Sequence, residues 1–161
     1  MDLFNQNTIQ NILPFDGEAI YKGVIFSRKE SEAHYKNLFE EIPWENDQAI
    51  VFGKHYITKR KVAWFGDKPY SYKYSGITKQ AHIWTPELLQ LKQKIEEIST
   101  TSYNSCLLNL YHTGDEGMAW HSDAEKTLLD NGTIASVTLG AERKFSFKHK
   151  ESKQRIDVLL E

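Results

Sequence analysis

The chain of 161 residues predicts an α+β, mainly β fold, in which two early helices support an antiparallel double-sheet roll. Three observations predict it. Two segments in the first two-thirds carry helix-start signals with apolar residues at spacings of three and four. The remainder is a series of short β-favourable runs separated by turn residues. No repeat, low-complexity tract or Gly/Ser linker marks a second domain. Residues 1–161 therefore read as one domain, with 1–12 a loose lead-in, hairpins over 48–80 and a partial β-roll over 104–161.

Residues 18–26 read as a short strand and turn. Ser27-Arg28-Lys29-Glu30 is a capping box opening a helix to about residue 41, with Ala33, Leu38, Phe39 and Ile42 as its buried side and Pro43 as its stop. Residues 49–52 and 56–64 are β-favourable, with Gly53-Lys54 as the hairpin turn between them. After the turn at 66–69 comes a short strand over 70–74. Thr85 and Pro86 occupy N-cap and N1 of a second helix, whose Leu88, Leu91, Ile95 and Ile98 line one face. Strands are expected at 106–111, 133–139, 144–148 and 156–160.

The composition is that of a globular protein, 40% hydrophobic and 26% charged with a formal net charge of -2. Residues 30–47 are mostly acidic. Residues 54–79 are mostly basic (Lys54, Lys59, Arg60, Lys61, Lys68, Lys73, Lys79 against Asp67), and 142–155 repeat that bias. Such runs are usually solvated faces, but two on strand-like segments fit a phosphate-binding rim. The lone Cys106 excludes an intrachain disulfide. Residues 1–11 lack the marks of a secretory signal and no apolar run spans a bilayer. A cytoplasmic chain is expected, or a nuclear one if the source is eukaryotic, and a monomer with no membrane partner.

Chemistry concentrates in residues 109–123. His121 and Asp123 stand two apart, and in extended backbone such side chains share a side. An imidazole and a carboxylate so placed can grip one metal ion. A further histidine would complete a facial triad that leaves positions open on Fe(II). The pair alone equally describes a solvated histidine beside a turn-forming aspartate. Its surroundings favour the metal: Asn109 and Tyr111 alternate with Leu108 and Leu110, and Gly114 and Gly117 allow a bend returning at Trp120. His34, His55, His82, His112 and His149 lack liganding spacing.

At these residues the sequence resembles the AlkB-like Fe(II)/2-oxoglutarate dioxygenases, which repair alkylated nucleic acid bases. The likeness continues through Val51-Phe52-Gly53-Lys54, Tyr72-Lys73-Tyr74-Ser75-Gly76, Ile134-Ala135-Ser136-Val137-Thr138-Leu139-Gly140 and Phe145-Ser146-Phe147-Lys148-His149-Lys150, and it covers nearly the whole chain. It implies a double-stranded β-helix (jelly roll), two supporting helices and a nucleotide-binding hairpin lid. It implies Fe(II) on His121 and Asp123, 2-oxoglutarate as cosubstrate on Asn109 and Tyr111, and DNA, duplex or single-stranded, or RNA as partner. A neutral amide and phenol can donate to carboxylate oxygens without competing for the metal. The plainer account makes them hydrogen-bonded strand residues.

The implied reaction is oxidative dealkylation. Decarboxylation of 2-oxoglutarate to succinate drives hydroxylation of the alkyl carbon on a base nitrogen, and the adduct releases an aldehyde. A methyl on a pairing edge is reachable only in a flipped or unpaired base. By resemblance Phe52, Gly53 and Lys54 contact substrate, with Phe52 as the plug for the vacated stack. Tyr72, Lys73 and Tyr74 line the base pocket, or Tyr72 and Tyr74 simply pack on the core. Trp64 is assigned to the core in preference to the pocket. Glu125 is placed to accept from an exocyclic amino group, and Ala124 departs from the acidic residue that related enzymes carry there.

The family pattern continues with a distal histidine as third ligand and an arginine for the far carboxylate of 2-oxoglutarate. No histidine follows His149 and no arginine follows Arg155. The 161 residues as written, lacking the last strands, are expected to hold iron weakly, to leave strand edges and an apolar face uncovered, and to demethylate little, as a piece of a longer enzyme. The rivals are a non-catalytic nucleic-acid-binding module and a dioxygenase acting on protein or a small molecule. The last predicts no salt-dependent DNA affinity.

Overall fold

A computed structural model describes residues 10–51, 53–74, 77–123 and 127–161, leaving aside the side chains of residues 49, 51, 72–74, 77 and 78. It is a sheet-rich α+β structure. The helices are α1 (Arg28–Glu41) and α2 (Pro86–Ser99). The strands are β1 (Glu45–Val51), β2 (Lys54–Gly66), β3 (Ser71–Tyr74), β4 (Ile77–Gln80), β5 (His82–Ile83), β6 (Ser105–Leu110), β7 (Arg143–Lys148) and β8 (Arg155–Leu160). Two compact units divide it: residues 36–137, and residues 10–35 with 138–161.

In the larger unit β2 is the spine. Its first half pairs antiparallel with β1, its second half pairs antiparallel with β6, and its end meets β5 in parallel. β3 and β4 form a separate two-stranded ribbon. Alternation along β2 sorts the side chains. Ala63 and Phe65 face a cluster with Ile42 and Leu88, and Leu38, Trp44, Trp84, Leu91, Cys106 and Leu108 pack around it. Phe65, only 2% exposed, anchors that core. Burial pushes the Cys106 thiol up to about 12. Thr85 caps α2 as expected, its hydroxyl accepting from the Leu88 N–H at 3.2 Å. Asp67 ties the β2–β3 turn to α2 by accepting from Trp84 Nε1 (2.7 Å) and Lys92 Nζ (3.1 Å).

In the smaller unit β7 and β8 form an antiparallel hairpin. Arg155 of the second basic run donates to Asp157 (2.6 Å) and Ser146 (3.0 Å) on that hairpin. His149 Nδ1 accepts from the Ser152 N–H at 3.0 Å, so its proton sits on Nε2 and is donated to Asp16 at 3.2 Å. The capping box opens α1: the Ser27 N–H donates to Glu30 (2.8 Å) and the Glu30 N–H to the Ser27 hydroxyl (3.3 Å).

Several expectations give way. Ala33 and Phe39 are exposed, so the buried side of α1 reduces to Leu38 followed by Ile42. Residues 18–26 form no strand, only an isolated bridge from Ile20 to Asn11. Residues 133–139 form none either. Ile134 is 59% exposed, and among the described residues no strand lies beside this stretch to complete a ladder. Lys54, expected in the β1–β2 turn, is already paired to Val51. No helix among the described residues is long and apolar enough to cross a membrane.

Candidate metal centre

His121 and Asp123 follow the glycine-bearing loop after β6. Their groups meet: His121 Nε2 lies 3.4 Å from Asp123 Oδ1, with both side chains half exposed. His121 Nδ1 lies 2.9 Å from the Ala119 carbonyl, which only accepts, so that nitrogen carries the ring proton. The other ring nitrogen, Nε2, faces the carboxylate: a neutral imidazole presents a lone pair there, which a shared cation would join to Asp123, whereas an imidazolium would pair with Asp123 directly. At this separation both groups are within reach of one shared ion, which His121 and Asp123 would hold together. The donor set fits a nitrogen/oxygen-binding divalent metal. Among the described residues no third His, Cys, Asp or Glu joins the pair.

Asn109 lies on β6 opposite Val62, on the face away from the buried cluster, and is exposed. Arg60, Val62 and Trp64 share that face by strand alternation. Arg60 Nη1 donates to Asn109 Oδ1 at 2.7 Å and also meets Met118 Sδ, in the loop that leads to His121. Arg60 is thus a link between the strand bearing Asn109 and the loop that leads to His121 and Asp123. At 9% exposure it is buried, and its Nη2 donates to Asp47. Asp47 in turn accepts from Lys79 Nζ at 2.5 Å.

The bulge in β1 makes this network possible. Between the pairs Asn46↔Lys61 and Gln48↔Ile57 the register slips, and Asp47 falls in the irregular step opposite Thr58, Lys59 and Arg60. Bulges re-aim side chains in this way. Asn46 satisfies the freed Thr58 carbonyl at 2.8 Å. Burial raises the Asp47 carboxyl, but the Lys79 hydrogen bond, the Lys79 and Arg60 charges and the Gln48 backbone outweigh it and hold the group below the usual carboxylate range. Two expectations are thereby corrected. Arg60 and Lys79 are not part of a solvated phosphate-binding rim, because both are committed to Asp47.

Tyr111 follows β6 directly and is half-buried. Gly53 sits at the β1–β2 turn with φ +76°, and Lys54 beside it is exposed. Tyr72, Lys73 and Tyr74 lie on β3, with Tyr72 paired to Lys79 and Tyr74 to Ile77. Phe52 and Glu125 fall outside the described residues. Trp64 is not in the hydrophobic cluster. It stacks on Tyr70, centroids 6.3 Å apart, and with Leu107, Lys79, Gln48 and His82 lines an open cleft of about 290 Å³. The assignment of Trp64 to the core fails because its strand parity points it away from Ala63 and Phe65. The cleft does not include His121, Asp123 or Asn109.

Comparison with known proteins gives a consistent picture. Residues 17–161 match the family model of the 2OG-Fe(II) oxygenase superfamily. The chain is 37% identical over 122 residues to alpha-ketoglutarate-dependent dioxygenase alkB homolog 3 of Bos taurus, covering 76% of this chain and 42% of that protein. It is 32% identical over 133 residues to DNA oxidative demethylase ALKBH2 of Mus musculus, covering 81% and 56%. The Arabidopsis thaliana ALKBH2 is 29% identical over 150 residues, 91% of this chain and 44% of the relative. The chain thus spans about half the length of the curated relatives it matches.

Proposed function

Since this chain belongs to the 2OG-Fe(II) oxygenase superfamily, we propose that it carries the metal and cosubstrate centre of an oxidative nucleic acid demethylase. The carrying observation is the facing pair His121 Nε2 and Asp123 Oδ1, 3.4 Å apart, with the imidazole tautomer fixed by Ala119. His121 and Asp123 would hold Fe(II). Asn109 and Tyr111 would bind 2-oxoglutarate by donating to its carboxylate oxygens. When bound, the metal and cosubstrate supply the oxidation of an alkyl carbon on a base nitrogen by O2, with 2-oxoglutarate leaving as succinate and CO2.

The chain's own residues orient and exclude. The Arg60 link holds the Asn109 strand and the metal loop together, so that donors and ligands keep one spacing as the substrate enters. The finer architecture we propose is a jelly roll whose hairpins form a lid over the base. Phe52, Gly53 and Lys54 sit at the tip, Tyr72, Lys73 and Tyr74 line the pocket, and Glu125 reads an exocyclic amino group. DNA is the proposed substrate, in keeping with the names of the relatives, one a DNA oxidative demethylase and one an alpha-ketoglutarate-dependent dioxygenase.

The test is mass spectrometry of an N-methylated DNA oligonucleotide incubated with the whole encoded chain, Fe(II), 2-oxoglutarate and air. The expected result is loss of one methylene equivalent matched by succinate, both abolished by His121→Ala. An unchanged oligonucleotide, together with Mn(II) affinity that His121→Ala and Asp123→Ala leave intact, would refute the reading.

A further inference from the structure

Resting on the cosubstrate role of Asn109 just given, we propose that Arg60 is a positioning residue for 2-oxoglutarate, dictating which end of the Asn109 carboxamide meets the ligand. A carboxamide has a donor end and an acceptor end, and in isolation either can face a neighbour. A guanidinium has five N–H donors and no acceptor. Arg60 Nη1 at 2.7 Å therefore admits only the amide oxygen, and the Nδ2 group is turned away from it. Among the described residues that Nδ2 group has no partner, and it lies on the exposed face of β6. A carboxylate ligand needs that donor; the flipped amide would present an oxygen and repel it.

The guanidinium is itself fixed. Its other terminal nitrogen is held by Asp47, which the β1 bulge turns toward it and which Lys79 braces from the ribbon strand β4. Burial removes the competing water, so the guanidinium has one arrangement to offer.

The experiment is a double-substitution cycle read by binding. 2-Oxoglutarate is titrated calorimetrically into the Mn(II)-loaded chain, for the unsubstituted protein, Arg60→Gln, Arg60→Lys, Asn109→Ala and the Arg60→Gln/Asn109→Ala double variant. Gln can accept as well as donate, so it no longer fixes the amide. Lys, a donor only, still does. The expected result is a loss of about tenfold in 2-oxoglutarate affinity for Arg60→Gln, the scale of one hydrogen bond. Mn(II) affinity stays unchanged and Arg60→Lys stays within about threefold of the unsubstituted protein. The double variant is no weaker than Asn109→Ala, because Arg60 acts through that residue.

Additive losses in the double variant, or unaltered affinity in a folded Arg60→Gln, overturn the proposal. If Arg60→Gln does not fold, the unsubstituted protein decides by NMR. Its Asn109 Nδ2 resonances, identified by their loss in Asn109→Ala, should shift on adding 2-oxoglutarate while the Arg60 side-chain resonances hold still; an unmoved Nδ2 pair overturns the proposal too. Failure of the underlying reading looks different: Asn109→Ala would bind 2-oxoglutarate as tightly as the unsubstituted protein.

Discussion

Replacing Asp47 with Asn tests the energetics of the network on which the site rests. Asp47 accepts from Arg60 through Oδ2 and from Lys79 through Oδ1, and the three side chains are 16%, 10% and 29% exposed. At an effective dielectric near 20, each cation–carboxylate pair is worth about 4 kcal/mol gross at a charge separation of about 4 Å. Removing these ions from water offsets much of the gross gain of about 8 kcal/mol. Asn keeps one acceptor but aims an N–H2 group at the other cation, leaving a buried charge uncompensated. The net loss should be about 2–4 kcal/mol at neutral pH, a fall in Tm of about 5–12 °C for a chain of this size.

The pH dependence of that loss has a definite sign. The Asp47 carboxyl titrates below its ordinary value when folded. Its contribution is therefore complete above the unfolded value of about 3.9 and fades as pH falls through the lower folded value. Urea unfolding of both proteins, followed by tryptophan fluorescence from neutral pH down to about pH 2, measures the gap directly. It should be constant above about pH 5 and close in acid. A gap under about 0.5 kcal/mol at neutral pH, or one that persists undiminished in acid, would refute the reasoning.

Three further outcomes follow from the fold. Phe65→Ala, at a position 2% exposed among Ile42, Ala63 and Leu88, should cost about 3–5 kcal/mol in the same urea assay. Thr85→Ala removes the hydroxyl that accepts from the Leu88 N–H and should cost about 1 kcal/mol, with recovery on Thr85→Ser. Cys106, whose thiol burial pushes up to about 12, should resist a thiol-specific disulfide reagent at pH 8 in the folded protein and react promptly in guanidinium; rapid native labelling would contradict its burial.

What could be read from the sequence was local. The capping box at Ser27 and Glu30, the Thr85-Pro86 start of α2 and the two-residue spacing of His121 and Asp123 all depend on neighbours within a few positions. The Asp47–Arg60–Asn109 chain spans three separate strands and a bulge, which no local pattern announces. Arg60 did carry a signal: it shares strand parity with Val62 and Trp64, unlike its cationic neighbours Lys59 and Lys61. Reading the basic run as one solvated face hid that difference. Residues 133–139 have strand-like composition, but a strand also needs a partner, and composition says nothing of partners.

The alternation along β6 makes this strand intolerant of changes in length. Leu108 sits with the buried cluster while Asn109, one step on, faces the opposite way beside Arg60. A single residue inserted or deleted between Ser105 and Leu110 would exchange these faces, sending the amide under the helices and a leucine to the guanidinium. Point substitutions there remove one contact each, whereas a frame change in the ladder inverts structure and chemistry together. Sequence drift in this strand should therefore run through replacements, with gaps confined to the loops on either side.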